Sequence, residues 1–95
     1  MNRVDAYIAL IKDFVGGGLP APEFQRVYLS TFKAELAWFD EPTFELLDSL
    51  FGDADAYTED RELLESEPSY FVSGAHLKMR ANQVLRELER LRDDH

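Results

Sequence analysis

Phe44-Glu45-Leu46-Leu47-Asp48-Ser49-Leu50-Phe51-Gly52-Asp53-Ala54-Asp55-Ala56-Tyr57 is the stretch on which the fold turns. At about 100° per residue, Phe44, Leu46, Leu47, Leu50, Phe51, Ala54 and Tyr57 take one side, while Glu45, Asp48 and Asp55 point the other way and Asp53 lies at a margin. A segment apolar on one face and anionic on the other is an amphipathic helix that has to bury its stripe against something else. Asp40 or Glu41, just before Pro42, is placed to satisfy the free N–H groups at its start, where negative charge is favourable. Gly52 is expected to fray the helix near its end.

Working outward, the same period recurs. Upstream, Val4, Tyr7, Ile8, Ile11, Phe14 and Val15 share a face, and Gly16-Gly17-Gly18 has too much backbone freedom to stay helical. A second helix starts near Pro20 to Pro22 and carries Phe24, Tyr28, Leu29, Phe32, Leu36 and Phe39 on one side, with Val27 and Trp38 on the opposite margin. Glu35 falls inside that stripe, where it either becomes a buried acid or, at the stripe's edge, reaches solvent or bonds a tyrosine hydroxyl. Downstream, Leu63 and Leu64 anchor a short helical turn over Glu59–Glu65, and Ser73 caps a last helix with Leu77, Ala81, Val84, Leu85, Leu88 and Leu91 as its stripe. Arg90 and Arg92 complement the negative end of that helix. Helical periods dominate throughout, so the expected fold is all-α: a small antiparallel four-helix bundle with a short extra helical turn between helices 3 and 4. At ~100–200 residues per domain, the 95-residue chain is expected to be a single domain, 1–95.

Composition narrows the function classes. There is no cysteine, which excludes a disulfide framework, a thiolate metal site and a cysteine nucleophile. No apolar run approaches the ~20 residues of a membrane helix, and Arg3, Asp5 and Lys12 interrupt any apolar signal core, so a cytoplasmic protein is expected. The net charge of −9 is not spread evenly. Residues 1–39 are neutral, whereas residues 40–67 hold eleven carboxylates against Arg61 alone, a net −10 in one stretch. Such a block repels nucleic acid and anionic membrane and favours a basic partner, or it is a solubilising face.

Chemistry finds little support. His95 is terminal, His76 opens the last helix with no Glu-x-x-His pattern near it, and no serine sits in a glycine elbow. The three glycines follow a helix and lack the Lys and Ser/Thr of a phosphate loop. Asp53 to Glu59 alternates oxygen ligands, but the positions where a calcium loop needs Gly and Glu hold Thr58 and Leu64. No catalytic residue, metal or cofactor is expected.

The ordered set Tyr7, Leu10-Ile11, Phe14, Phe24, Tyr28-Leu29, Phe32-Lys33, then Phe44-Glu45, Leu47-Asp48, Leu50-Phe51, Asp53, Asp55 and Tyr57, resembles the colicin-D-like, self-protective colicin-like immunity proteins of bacteria. The likeness is close over about residues 5–57 and loose over 75–91. It departs at the glycine turn, where family members more often show a capping Ser, and at Ser73-Gly74-Ala75-His76, where acidic residues would be expected. The resemblance implies a compact four-helix protein that binds the catalytic domain of a toxin nuclease, typically a tRNA-cleaving one, from a bacteriocin or a contact-dependent inhibition system. With the charge block it points to Asp48, Asp53, Asp55, Glu59, Asp60 and Glu62 as toxin-binding residues. Tyr57 is either an aromatic anchor beside them or core at the end of helix 3. The alternative is an adaptor that binds a partner helix through the Val27/Trp38 margin, with the acids left to solvation.

Overall fold

The four long helices cover one another's apolar stripes. The computed structural model describes residues 3–36 and 38–93, and the terminal His95 lies outside them. Its helices are α1 (Arg3–Val15), α2 (Ala21–Lys33), α3 (Glu41–Asp55), α4 (Arg61–Ser66) and α5 (Gly74–Asp93). The core is built from Tyr7, Ile8, Ile11 and Phe14 of α1, Phe24 and Tyr28 of α2, Leu47, Leu50 and Ala54 of α3, and Leu77, Ala81, Val84, Leu85 and Leu88 of α5. α1 packs on α2 and α5, and α3 packs on the same two helices, which closes a four-helix bundle.

Cross-links between named residues show that neighbours run antiparallel. Phe14 at the end of α1 stacks on Phe24 at the start of α2, with ring centroids 4.2 Å apart, while Tyr7 at the start of α1 meets Phe32 at the end of α2. Phe32 then touches Phe44 at the start of α3, and Gln25 Nε2 donates to the Ala54 carbonyl at its end, 2.9 Å away. Arg80 near the start of α5 reaches Asp53, and Arg92 at its end reaches Asp5. Gly17 makes the α1–α2 reversal possible, because its φ of 89° lies where a side chain is strained.

The second helix is shorter than its period suggests. Its stripe continues through Leu36 and Phe39, but α2 stops at Lys33, and neither Ala34 to Leu36 nor Trp38 to Asp40 is helical. Tertiary bonds explain the stop: Glu35 accepts from Arg3 Nη2 at 2.7 Å and from the Tyr7 hydroxyl at 2.8 Å. Those bonds draw the chain to α1 instead of up the helix axis. Trp38 is therefore not on α2 at all, and Val27 and Trp38 do not share a helix margin. Of the two readings of Glu35, the structure holds both parts: its side chain is 9% exposed and bonds a tyrosine hydroxyl.

α3 runs unbroken through Gly52, so the expected fraying does not occur. The Asp40 side chain makes no cap hydrogen bond, and Phe44 is 47% exposed, half out of the face on which its spacing put it. Tyr57 lies just past the helix, which closes on Ala56. Between α3 and α5 the chain makes an excursion held at its neck by a single parallel bridge, Thr58 N–H to the Val72 carbonyl and Val72 N–H to the Ala56 carbonyl, both 3.0 Å. The extra helical element sits there as α4, two residues later than the spacing of Leu63 and Leu64 implied. The Asp60 carboxylate accepts from the N–H groups of Glu62 and Leu63 and so fixes where α4 begins. Ser73 Oγ accepts from His76 N–H at 3.1 Å, the expected cap of the last helix.

Candidate functional site

α3 contains five apolar side chains in or flanking the core and no Lys or Arg. Its outer face follows from the spacing of the rest. Glu41, Glu45, Asp48, Gly52 and Asp55 stand at i, i+4, i+7, i+11 and i+14, within about 80° on the side away from Leu47, Leu50 and Ala54. All five are exposed. The four carboxylates form a row about 21 Å long, at 1.5 Å per residue, with a gap at Gly52, where a Cβ would meet nothing within 4 Å. Among the described residues, no Lys or Arg pairs with any of the four.

The structure divides the seven residues expected at the site. Asp48 and Asp55 stand in the row. Glu62 is exposed on α4. Asp53 faces α5, where its carboxylate takes the Arg80 Nε–H at 3.0 Å, so part of its charge is answered inside the protein. Asp60 is engaged as the α4 cap, and Glu59 accepts the Tyr57 hydroxyl at 2.8 Å. Tyr57 itself is only 8% exposed and packs with the core, its ring against Gly74, so it is the core residue and not an exposed anchor. Burial and the bond to Glu59 push its phenol up to about 12. Glu41 and Glu45 belong to the row as fully as Asp48. Glu45 was legible as outward-facing, and the i, i+4, i+7 spacing from Glu41 was the signal that joins it to the same face.

A second surface adjoins the row. Leu36 is 98% exposed and Trp38 85%, both between α2 and α3, with half-exposed Phe44 one turn into α3. A recess of about 110 Å³ beside them is lined by Phe32, Glu35, Phe39 and Phe44.

For chemistry the arrangement offers little. An open groove of about 540 Å³ brings His76 near Asp53, together with Leu64, Phe71 and Ser73, but the Asp53 carboxylate is already bound to Arg80. Among the described residues no three His, Cys, Asp or Glu side chains are grouped to hold a metal, and no helix is long and apolar enough to cross a membrane.

Fold and surface thus define a small, acidic, helical-bundle protein whose distinguishing feature is an exposed anionic helix face. The model of one family, described as bacterial self-protective colicin-like immunity, matches residues 2–88. The chain belongs to that family and is a bacteriocin immunity protein, one whose partner is a cognate toxin; proteins of this family are generally not enzymes. No curated protein and no solved structure matches the chain.

Proposed function

We propose that this immunity protein is of the colicin-D-like kind and neutralises a nuclease toxin, an RNase that cuts tRNA, by laying the α3 acid row over its substrate cleft. The toxin is a bacteriocin or a contact-dependent inhibition effector, and the encounter takes place in the cytoplasm of the cell that makes both. The observation that carries this reading is the row itself: Glu41, Glu45, Asp48 and Asp55 on one face of a helix with no basic residue. A nuclease has to hold phosphates, so its cleft is cationic, and a file of carboxylates competes for the same charges. Glu62 adds a further exposed carboxylate on α4, while Asp53, Glu59 and Asp60 add to the field from positions fixed by Arg80, Tyr57 and the α4 N–H groups. The same field disfavours direct contact with nucleic acid or an anionic membrane.

The test is affinity for the inactivated toxic domain encoded by the gene immediately upstream. Reversing Asp48 and Asp55 together to Lys is expected to weaken binding by about 100-fold or more and to restore toxicity in cells, because both charges turn from attractive to repulsive. Binding that ignored both the reversal and the salt concentration would overturn the cleft-blocking reading.

A further inference from the structure

We propose that Trp38 and Leu36, on the segment joining α2 to α3, form the apolar anchor of the toxin complex, seated in an apolar pocket at the edge of the toxin's basic cleft. The inference rests on the toxin-binding reading and adds the part of the interface that slows release. Exposed carboxylates chiefly speed encounter and set orientation. Tight binding usually depends on a few desolvated side chains, and tryptophan is prominent among them. Tyr57, the aromatic residue that the sequence offered as an anchor, is buried and cannot serve.

Trp38 and Leu36 are nearly bare, yet the segment that carries them is tied down on both sides. On one side Glu35 accepts from Arg3 and the Tyr7 hydroxyl. On the other, the Phe39 ring meets the Tyr7 ring edge-on, 6.0 Å between centroids. Two tethers to one tyrosine reduce the ordering cost that a loose loop would incur on binding. At 85% exposed, Trp38 buries little of its own surface in the fold.

Charge decides what sits on the patch. The acid row begins three residues beyond Trp38, at Glu41, and runs past Phe44 with Glu45. A second copy of the chain, packed patch to patch about a two-fold axis, would bring two such rows together on proteins of net charge −9 each. A partner with an apolar pocket and a rim of Lys and Arg satisfies both halves of the surface.

Trp38 is the chain's one tryptophan, so its fluorescence reports on the patch directly. Titration with the inactivated toxic domain is expected to move its emission to shorter wavelength. Trp38→Ala and Leu36→Ala are each expected to weaken binding by about 30-fold or more, mostly through faster dissociation, with the unfolding midpoint unchanged. If the wild type binds, the acid-row reversals weaken it, and Trp38→Ala leaves both affinity and dissociation rate unaltered, the anchor is refuted while the toxin-binding reading stands. A Trp38-dependent dimer that persists in the toxin's presence would also refute it, by giving the patch to a second copy. If the wild type does not bind the domain at all, both readings fall together.

Discussion

Glu35, Tyr7 and Arg3 show how one side chain can redirect the backbone. The carboxylate is nearly buried, and it receives the Tyr7 hydroxyl at 2.8 Å and the Arg3 guanidinium at 2.7 Å, which also lies over the Tyr7 ring. Removing it strands the hydroxyl and releases the chain that follows α2. Glu35→Ala should therefore destabilise the fold by ~1–3 kcal/mol, and Glu35→Gln, which keeps an acceptor for Tyr7 but not the charge, by less. Urea unfolding at neutral pH measures both, and a Gln variant as damaged as the Ala variant would contradict the role assigned to the hydroxyl. Tyr28 carries a different consequence. It is fully buried, its hydroxyl donates to the Leu47 carbonyl at 2.8 Å, and burial raises its pKa well above the ordinary 10.0, with Tyr7 and Asp48 adding in the same direction. The folded protein thus holds a proton that the unfolded chain loses near pH 10. Stability from this group is whole below that pH and falls above it, with a slope approaching ~1.4 kcal/mol per pH unit. Tyr28→Phe should cost ~0.5–1.5 kcal/mol at pH 7 and make the decline between pH 10 and 11 shallower. Unfolding curves taken across that range check both parts.

At the scale of the helix, α3 combines two demands that can be separated at Gly52. The residue has ordinary helical backbone and open space around it, so alanine there restores helix propensity without a clash. Gly52→Ala is expected to raise stability by ~0.5–1 kcal/mol, whereas Gly17→Ala, forced into a positive φ of 89°, should lower it by a similar amount or more. Gly52→Lys puts a cation into the middle of the acid row: it should fold at least as well as the wild type yet bind toxin more weakly, a split that thermal melting and an affinity measurement together reveal. The same element shows how far sequence reading reaches. The inner stripe of α3, the stripes of α1 and α5 and the glycine turn follow from spacing and backbone entropy, which are local properties. The stretch between α2 and α3 does not, since the 3.6-residue period runs on through Leu36 and Phe39 and nothing local cancels it. What ends α2 is the pull of Arg3 and Tyr7 on Glu35, across 28 or more residues of chain. For the same reason the exposure of Trp38 was hidden, because a wheel drawn for a helix that has already ended assigns it a face it does not have. At the site, an acidic block was visible as composition, but which acids are exposed in register and which are engaged by Arg80, Tyr57 or the α4 cap depends on the tertiary structure.

For the molecule as a whole, what matters is where the charge lies as well as how much there is. Arg92 answers Asp5 and Lys12 answers Glu89 between α1 and α5, and Arg80 answers Asp53 between α5 and the inner side of α3, while the α3 row has no such partners among the described residues. The field is therefore lopsided, and a lopsided field orients an incoming basic protein as well as attracting it. At about 0.01 M salt the screening length of ~30 Å exceeds the ~21 Å row, which then acts as one body; at about 1 M it is ~3 Å and each carboxylate acts alone. Association with the inactivated toxic domain should accordingly fall from ~10⁸–10⁹ toward ~10⁵–10⁶ M⁻¹s⁻¹ over that range, with dissociation changing far less. Net charge and geometry are told apart by two triple variants that remove the same three charges. Neutralising Glu45, Asp48 and Asp55 to their amides should flatten the salt dependence, while neutralising Asp13, Glu23 and Asp93, which lie on other helices, should leave most of it. Stopped-flow rates for the two variants decide the matter: equal slopes would mean that the protein steers by total charge alone and that the row has no special part in capture.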